Sequence, residues 1–384
     1  ACEANYRVAY QLQNSKNLLE AARYYLEVVE KCPGHALRVQ ALYAAGHCLA
    51  TEGKHVDAIA AWSALVKDFG SSEYAEESLY RKAMSEIHLT HNEAVLTSLY
   101  DLIKQFPKTG FLADAHYWIG MMLLKDNKLH DADNAFKSSI DAGPRAELLR
   151  EAQYQRAVVL HGLENYDDCA ALIQPLLESP IQGRLTPGFL EWLCMYRLGR
   201  KEPQLAILPA QILADKTEPP DAQQLGWCLV GRCHKAAGKA DDMAKAYARV
   251  LSIKEGNLLA AEAALAIGDY HLDKEDAKTA ISDFGKAASW AHAPGAQGIR
   301  ARAYFGLGRA YKALQQRDEA ARYFMSVAVL YDDPEVVPEC LFRCAEIYAA
   351  LGQVQNAGKS MDELRQRYPD SDWAKRSMQE APSP

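Results

Sequence analysis

Residues Tyr117–Pro144 read YWIGMMLLKDNKLHDADNAFKSSIDAGP. The small residue Gly120 is followed by Ala132, then by the bulky Phe136, and the stretch closes on Pro144. The polar turn Lys125-Asp126-Asn127-Lys128 separates its two apolar runs. The same order recurs every 37 residues: the Gly120 slot is filled by Ala9, Gly46, Ala83, Gly120, Ala157, Cys194, Gly231 and Gly268. After a three-residue insertion near Ala293-Pro294-Gly295 the series resumes at Gly308 and Ala345. A second series lies twelve residues after the first: Ala21, Ala58, Val95, Ala132, Cys169, Ala206, Met243, Ala280, Ala320 and Ala357. A mostly bulky series follows four residues later, at Tyr25, Trp62, Leu99, Phe136, Ile173, Ala210, Tyr247, Phe284, Phe324 and Met361. Breakers such as Pro33, Gly70, Pro107, Pro144, Pro180 and Pro369 close the units.

This spacing has a direct physical meaning. Two helices approach closely only where their side chains are small, and a large residue one turn later fills what remains of the gap between layers. Proline lacks an N–H and ends the second helix of each unit. The pattern predicts an all-α fold, a right-handed α-solenoid superhelix of about ten helix pairs. Residues 370–384 are expected to give a polar capping helix and tail.

The order small residue, Ala, aromatic and Pro resembles the tetratricopeptide repeat. The copies that carry the resemblance best are Tyr117-Trp118-Ile119-Gly120 with Ala132, Phe136 and Pro144, and Tyr304-Phe305-Gly306-Leu307-Gly308 with Tyr311, Ala320 and Phe324. The unit of 37 residues is longer than the usual repeat of about 34. Residues 184–220 carry Pro187, Pro203, Pro209, Pro219 and Pro220, with Ala210 in the bulky slot. They are the most degenerate unit, and Pro209 is expected to kink or break its helix, a possible hinge. The expected organisation is an N-terminal arm over 1–183, the Pro-rich repeat over 184–220, a C-terminal arm over 221–369 and the cap over 370–384.

In such a solenoid the first helices line an inner groove. Three residues before the small slot the chain reads Tyr6, Tyr43, Tyr80, Tyr117 and Tyr154, and in the last two units Phe305 and Phe342. One residue after the slot it reads Tyr10, His47, Met84, Met121, Val158 and Met195, then Arg232, Asp269, Arg309 and Glu346. Aromatic and Met side chains suit a protein or peptide partner. The candidate contact residues are therefore Tyr43, Tyr80, Tyr117, Tyr154, Met84 and Met121, with Arg232, Arg309, Phe305 and Phe342 in the C-terminal arm. Two readings stand beside this one. The aromatic series can serve stacking between units, and the basic residues can form a solvated face paired with nearby acids.

The 384 residues carry a net charge of -7 and no basic blocks, which disfavours nucleic-acid binding. No apolar run reaches the roughly 18 residues of a membrane span. Walker, dinucleotide-binding, HExxH and G-x-S-x-G signatures are absent, and no strand-rich segment is seen. Cys228, Cys233 and His234 lack zinc-finger spacing, so neither a metal nor a cofactor is expected. The nine cysteines are dispersed, which does not suggest the disulfide framework of a small secreted domain and tilts towards a reducing compartment. The chain starts Ala1-Cys2, where a lipid anchor on Cys2 and a chance cysteine are both open readings.

Three junctions, Phe69-Gly70-Ser71-Ser72-Glu73-Tyr74-Ala75, Phe106-Pro107-Lys108-Thr109-Gly110-Phe111-Leu112-Ala113 and Tyr368-Pro369-Asp370-Ser371-Asp372-Trp373-Ala374, resemble those of bacterial envelope tetratricopeptide proteins. These include outer-membrane-assembly lipoproteins and Tol–Pal-associated periplasmic proteins. The resemblance implies a non-enzymatic scaffold in a bacterial assembly, at the periplasm or outer membrane, with the cytoplasm as the alternative. A small-ligand or glycan module, or the docking region of a larger enzyme, are the competing functions. An open groove buries a small molecule poorly, which disfavours the first of these.

Overall fold

The computed structural model describes residues 1–215 and 219–379. Residues 216–218 of the Pro-rich stretch and the tail expected beyond 379 lie outside the described residues. The chain divides into two compact units, 1–183 and 184–384. The first unit comprises α1 (Cys2–Asn14), α2 (Leu18–Lys31), α3 (Leu37–Thr51), α4 (His55–Asp68), α5 (Ala75–His88), α6 (Asn92–Gln105), α7 (Leu112–Lys125), α8 (Leu129–Asp141), α9 (Ala146–Gly162) and α10 (Tyr166–Ile173). The second comprises α11 (Pro187–Gly199), α12 (Pro203–Ala214), α13 (Pro220–Ala236), α14 (Ala240–Ile253), α15 (Leu258–Asp273), α16 (Ala277–Trp290), α17 (Gln297–Ala313), α18 (Arg317–Leu330), α19 (Val337–Ala350), α20 (Val354–Arg367) and α21 (Asp372–Gln379). No strand occurs among the described residues. Within each unit successive helices pack on one another, and odd-numbered helices also touch the next odd-numbered one, as in α1 with α3 and α13 with α15. This is the solenoid expected of the repeat.

The small slots receive the bulky residues sixteen positions later. A methyl group added at Gly120 would lie 2.7 Å from the Phe136 ring, and one at Gly46 would lie 2.5 Å from the Trp62 indole. Gly231, Gly268 and Gly308 stand in the same relation to Tyr247, Phe284 and Phe324. The bulky side chain thus sits over the glycine of its own pair, and it also reaches the next repeat, since a methyl group at Gly306 would lie 2.5 Å from the Phe284 ring, so it fills the gap between layers as expected. Full burial of one such ring is worth about 2–3 kcal/mol. The Pro-rich repeat solves the same problem differently. Its slot holds Cys194 opposite Ala210, so no ring is available. Instead α12 and α13 close up, with Gly226 against the backbone of Leu213 and Ala214. Pro209 lies inside α12 without ending it, so the expected break is absent.

The turns inside the helix pairs share one geometry. The residue in the left-handed region recurs at the repeat spacing: Lys16, Gly53, Thr90, Asn127, Glu164, Lys201, Gly238, Glu275, Gln315 and Gly352. The residue after each donates its N–H back five positions, as Lys54 does to Leu49, His91 to Glu86 and Lys128 to Leu123. This is a Schellman ending, which satisfies carbonyls that would otherwise be orphaned at the helix end. Most of these positions are not glycine, and at Thr90 a β-branched residue takes φ 59°. That conformation costs about 1 kcal/mol relative to glycine. At the C-terminus α21 docks on α19 and α20, placing Trp373 over Phe342 at a ring separation of 5.2 Å. The expected cap is therefore present, with an apolar underside.

Candidate interaction face

In residues 1–183 the tyrosines three positions before the small slot turn towards aromatic neighbours. Tyr43 meets Tyr74 at 5.0 Å, and Tyr80 stacks on Phe111 at 4.4 Å and 10°. The partner lies 31 residues on, just before the next odd-numbered helix, so each ring bridges two repeats. Tyr6 packs edge-on against Tyr25, and Tyr117 lies between Trp118 and Phe136. Their hydroxyls point to carboxylates that themselves recur every 37 residues. Tyr43 faces Glu77, and Tyr117 Oη donates to Glu151 at a long 3.5 Å. Burial raises the Tyr43 phenol pKa, as does the Glu77 contact; for Tyr80, burial acts first and Asp114 second. Burial also disfavours the Glu77 carboxylate, but the Tyr43 and Arg81 side chains outweigh it and leave that group below its usual range. Tyr117 is buried at 8% exposure, while Tyr80, Tyr43 and Tyr154 are half-buried. Tyr117 thus offers almost no surface to a partner.

One position after the slot the picture reverses. Tyr10 is 53% exposed and Val158 is 38% exposed, with His47, Met84 and Met121 half-buried between them in the repeat register. Met84 and Met121 rest their stems on the core and keep part of their surface open. His47 is held below its usual pKa by burial first and by the Arg81 guanidinium second. These side chains have the adaptable apolar character that suits a peptide surface.

In residues 184–384 the equivalent positions after Met195, which is 44% exposed, are charged and paired. Arg232 grips Glu262 with two nitrogens, at 2.7 and 2.6 Å. Tyr247 adds a third donor to the same carboxylate at 3.3 Å. Arg309 reaches Asp269 at 3.2 Å and Asp273 at 3.9 Å. Lys312 reaches Glu346 at 3.1 Å. Arg232 and Arg309 are therefore committed to acids on the neighbouring repeat, and a face of unpaired bases waiting for a partner's carboxylates is not what forms. The acids lie 30 to 40 residues away, so the sequence around each arginine does not show them. Phe342 is 1% exposed beneath Trp373, which removes it from the surface. Phe305 is half-buried against Phe324, with the Arg309 guanidinium over its face.

Among the described residues no group of three or more His, Cys, Asp or Glu could hold a metal ion, and no helix is long and apolar enough to cross a membrane. His271 Nδ1 lies 2.7 Å from the buried Asp283. The cysteine expectation needs correction. Cys2 and Cys32 form a disulfide, because the α1–α2 hairpin returns the chain to its own start. The other seven cysteines are buried free thiols.

Tetratricopeptide repeat families match residues 301–328 and 339–371. No curated protein matches the chain. Among solved structures, a tetratricopeptide repeat protein from Parabacteroides merdae is 14% identical, with 79% of this chain and 98% of that one covered at a TM-score of 0.38. The apo form of RapI is 15% identical, with 70% and 79% covered at 0.46. PilF of Pseudomonas aeruginosa is 16% identical, with 59% and 96% covered at 0.38.

Proposed function

We propose that this chain, which carries tetratricopeptide repeats, is a non-enzymatic scaffold. In this reading it holds an apolar or amphipathic protein segment against the odd-numbered helices of residues 1–183. One observation carries the reading. Of two aromatic- and Met-rich series on those helices, one is spent on ring packing within and between repeats. The other, Tyr10, His47, Met84, Met121 and Val158, keeps open surface in a continuous register. Tyr80 and Tyr154 contribute their exposed edges, and Tyr117 supports them from below. Phe305 with Arg309 offers a smaller second patch in the other unit.

The net charge of -7 supports a protein partner over nucleic acid. The Cys2–Cys32 disulfide supports an oxidising, extracytoplasmic compartment, in line with the envelope-type junctions. Membership of an envelope assembly is part of the same reading. The test is affinity capture from the native cell with the wild type and with a Met84→Glu, Met121→Glu double variant, followed by titration of the captured partner. Expected is loss of that partner with the melting temperature retained and an affinity drop of at least about tenfold. Equal affinity for both proteins would place the contact elsewhere.

A further inference from the structure

Among the seven buried thiols one pair stands apart. Cys194 fills the small slot of α11, and Cys233 lies two residues past the small slot of α13. Their Sγ atoms are 3.7 Å apart, and both residues are at most 1% exposed. Directly beside them, Arg232 Nη1 contacts Met195 Sδ at 3.6 Å, so the pair lies under the line where two successive repeats meet. Cys233 also lines a cavity of about 680 Å³ bordered by Leu198, Ile207, His234 and Ala236, which gives a small oxidant a way in.

We propose that Cys194 and Cys233 are an oxidisable dithiol, a modification site that takes a hydroperoxide and closes to a disulfide joining α11 to α13. The Cys233 thiolate attacks one oxygen of hydrogen peroxide, the O–O bond breaks, and with a proton the other oxygen leaves as water. The Cys194 sulfur then attacks the Cys233 sulfenic acid, the S–O bond breaks and a second water leaves. Two thiols lose two electrons and two protons, and the peroxide gains them. Geometry assigns the roles. Cys233 lines the cavity, while Cys194 lies 3.7 Å from it in a contact where either S–H can donate. Closing to a bond of about 2 Å needs the sulfurs to move by less than about 2 Å, the scale of a rotamer change. The other buried cysteines lack this arrangement: Cys344, for example, donates to the Ala321 carbonyl at 3.5 Å.

The test uses the full chain, reduced, freed of reductant and exposed to hydrogen peroxide. It is then unfolded in N-ethylmaleimide and digested. Expected is a joined peptide linking positions 194 and 233, lighter by about 2 Da than its two halves. Cys169 and Cys228 should be alkylated in the same sample. In Cys194→Ala, which places at this slot the residue already used at 9, 83 and 157, the joined peptide should vanish and dimedone should trap Cys233 as the sulfenic acid. Cys228→Ser should leave the link intact, which keeps the test decisive should the alanine variant fold poorly. Full alkylation of both cysteines after peroxide, a link from Cys194 to Cys228 instead, or Cys233 oxidised to the sulfinic acid without a link would each overturn the proposal.

Discussion

The two units join their repeats with different chemistry at the same places. In residues 1–183 an aromatic ring from one odd-numbered helix stacks against the approach to the next, as Tyr43 does with Tyr74 and Tyr80 with Phe111. In residues 184–384 the Phe342–Trp373 contact keeps that arrangement, but most joints are spanned by ion pairs, from Arg232 to Glu262, Arg309 to Asp269 and Lys312 to Glu346. Stacked rings bury apolar area and take little notice of salt, whereas half-exposed ion pairs gain little and are screened. One backbone repeat thus tolerates either solution, and the choice decides which face stays open. Rings that serve the joint leave Met84 and Met121 free beside them. Arginines that serve the joint occupy the equivalent positions themselves.

That contrast can be broken by substitution. Solenoid stability is close to a sum of repeat and neighbour terms, so hydrogen exchange resolved by helix is the suitable readout. Tyr80→Ala should have the largest effect, lowering protection across α5 to α7 by about 2–3 kcal/mol, equally at low and high salt. A marked salt dependence would refute the stacking assignment. Arg232→Met should cost about 1–2 kcal/mol around α13 and α15, because Glu262 keeps only Tyr247 as a donor, and the loss should shrink in 1 M salt. Thr90→Gly should stabilise the α5–α6 turn by about 1 kcal/mol, raising the melting temperature, since it removes a β-branched residue from the left-handed region. Arg302→Ala removes the exposed pair with Glu335 and should leave protection unchanged within error at any salt.

Much of the fold could be read from the chain because a repeat writes its packing into sequence distance. Gly120, Ala132 and Phe136 announced a helix pair, and the structure seats Phe136 on Gly120. The turns were legible at Gly53 and Gly238 but not at Lys16, Glu164 or Gln315, where nothing in the residue type signals a left-handed backbone. The face was harder. Tyr80 and Met84 are one helical turn apart and lie on the same side, so periodicity alone could not tell the stacked residue from the open one. Phe111, which settles the matter, lies in a junction whose conformation no period fixes. Arg232 looked like an available base because its acid, Glu262, belongs to the next repeat. Cys2 and Cys32 met through a hairpin closure that cysteine counting does not contain.

The division between a stacked and an open series is tested most directly by site-specific photocrosslinking in the presence of the captured partner. A photoreactive side chain at position 84 or 121 should give partner adducts. One at Val56 or Tyr100, which are 66% and 51% exposed on the even-numbered helices α4 and α6, should give none. Adducts from positions 56 and 100 with none from 84 and 121 would contradict it.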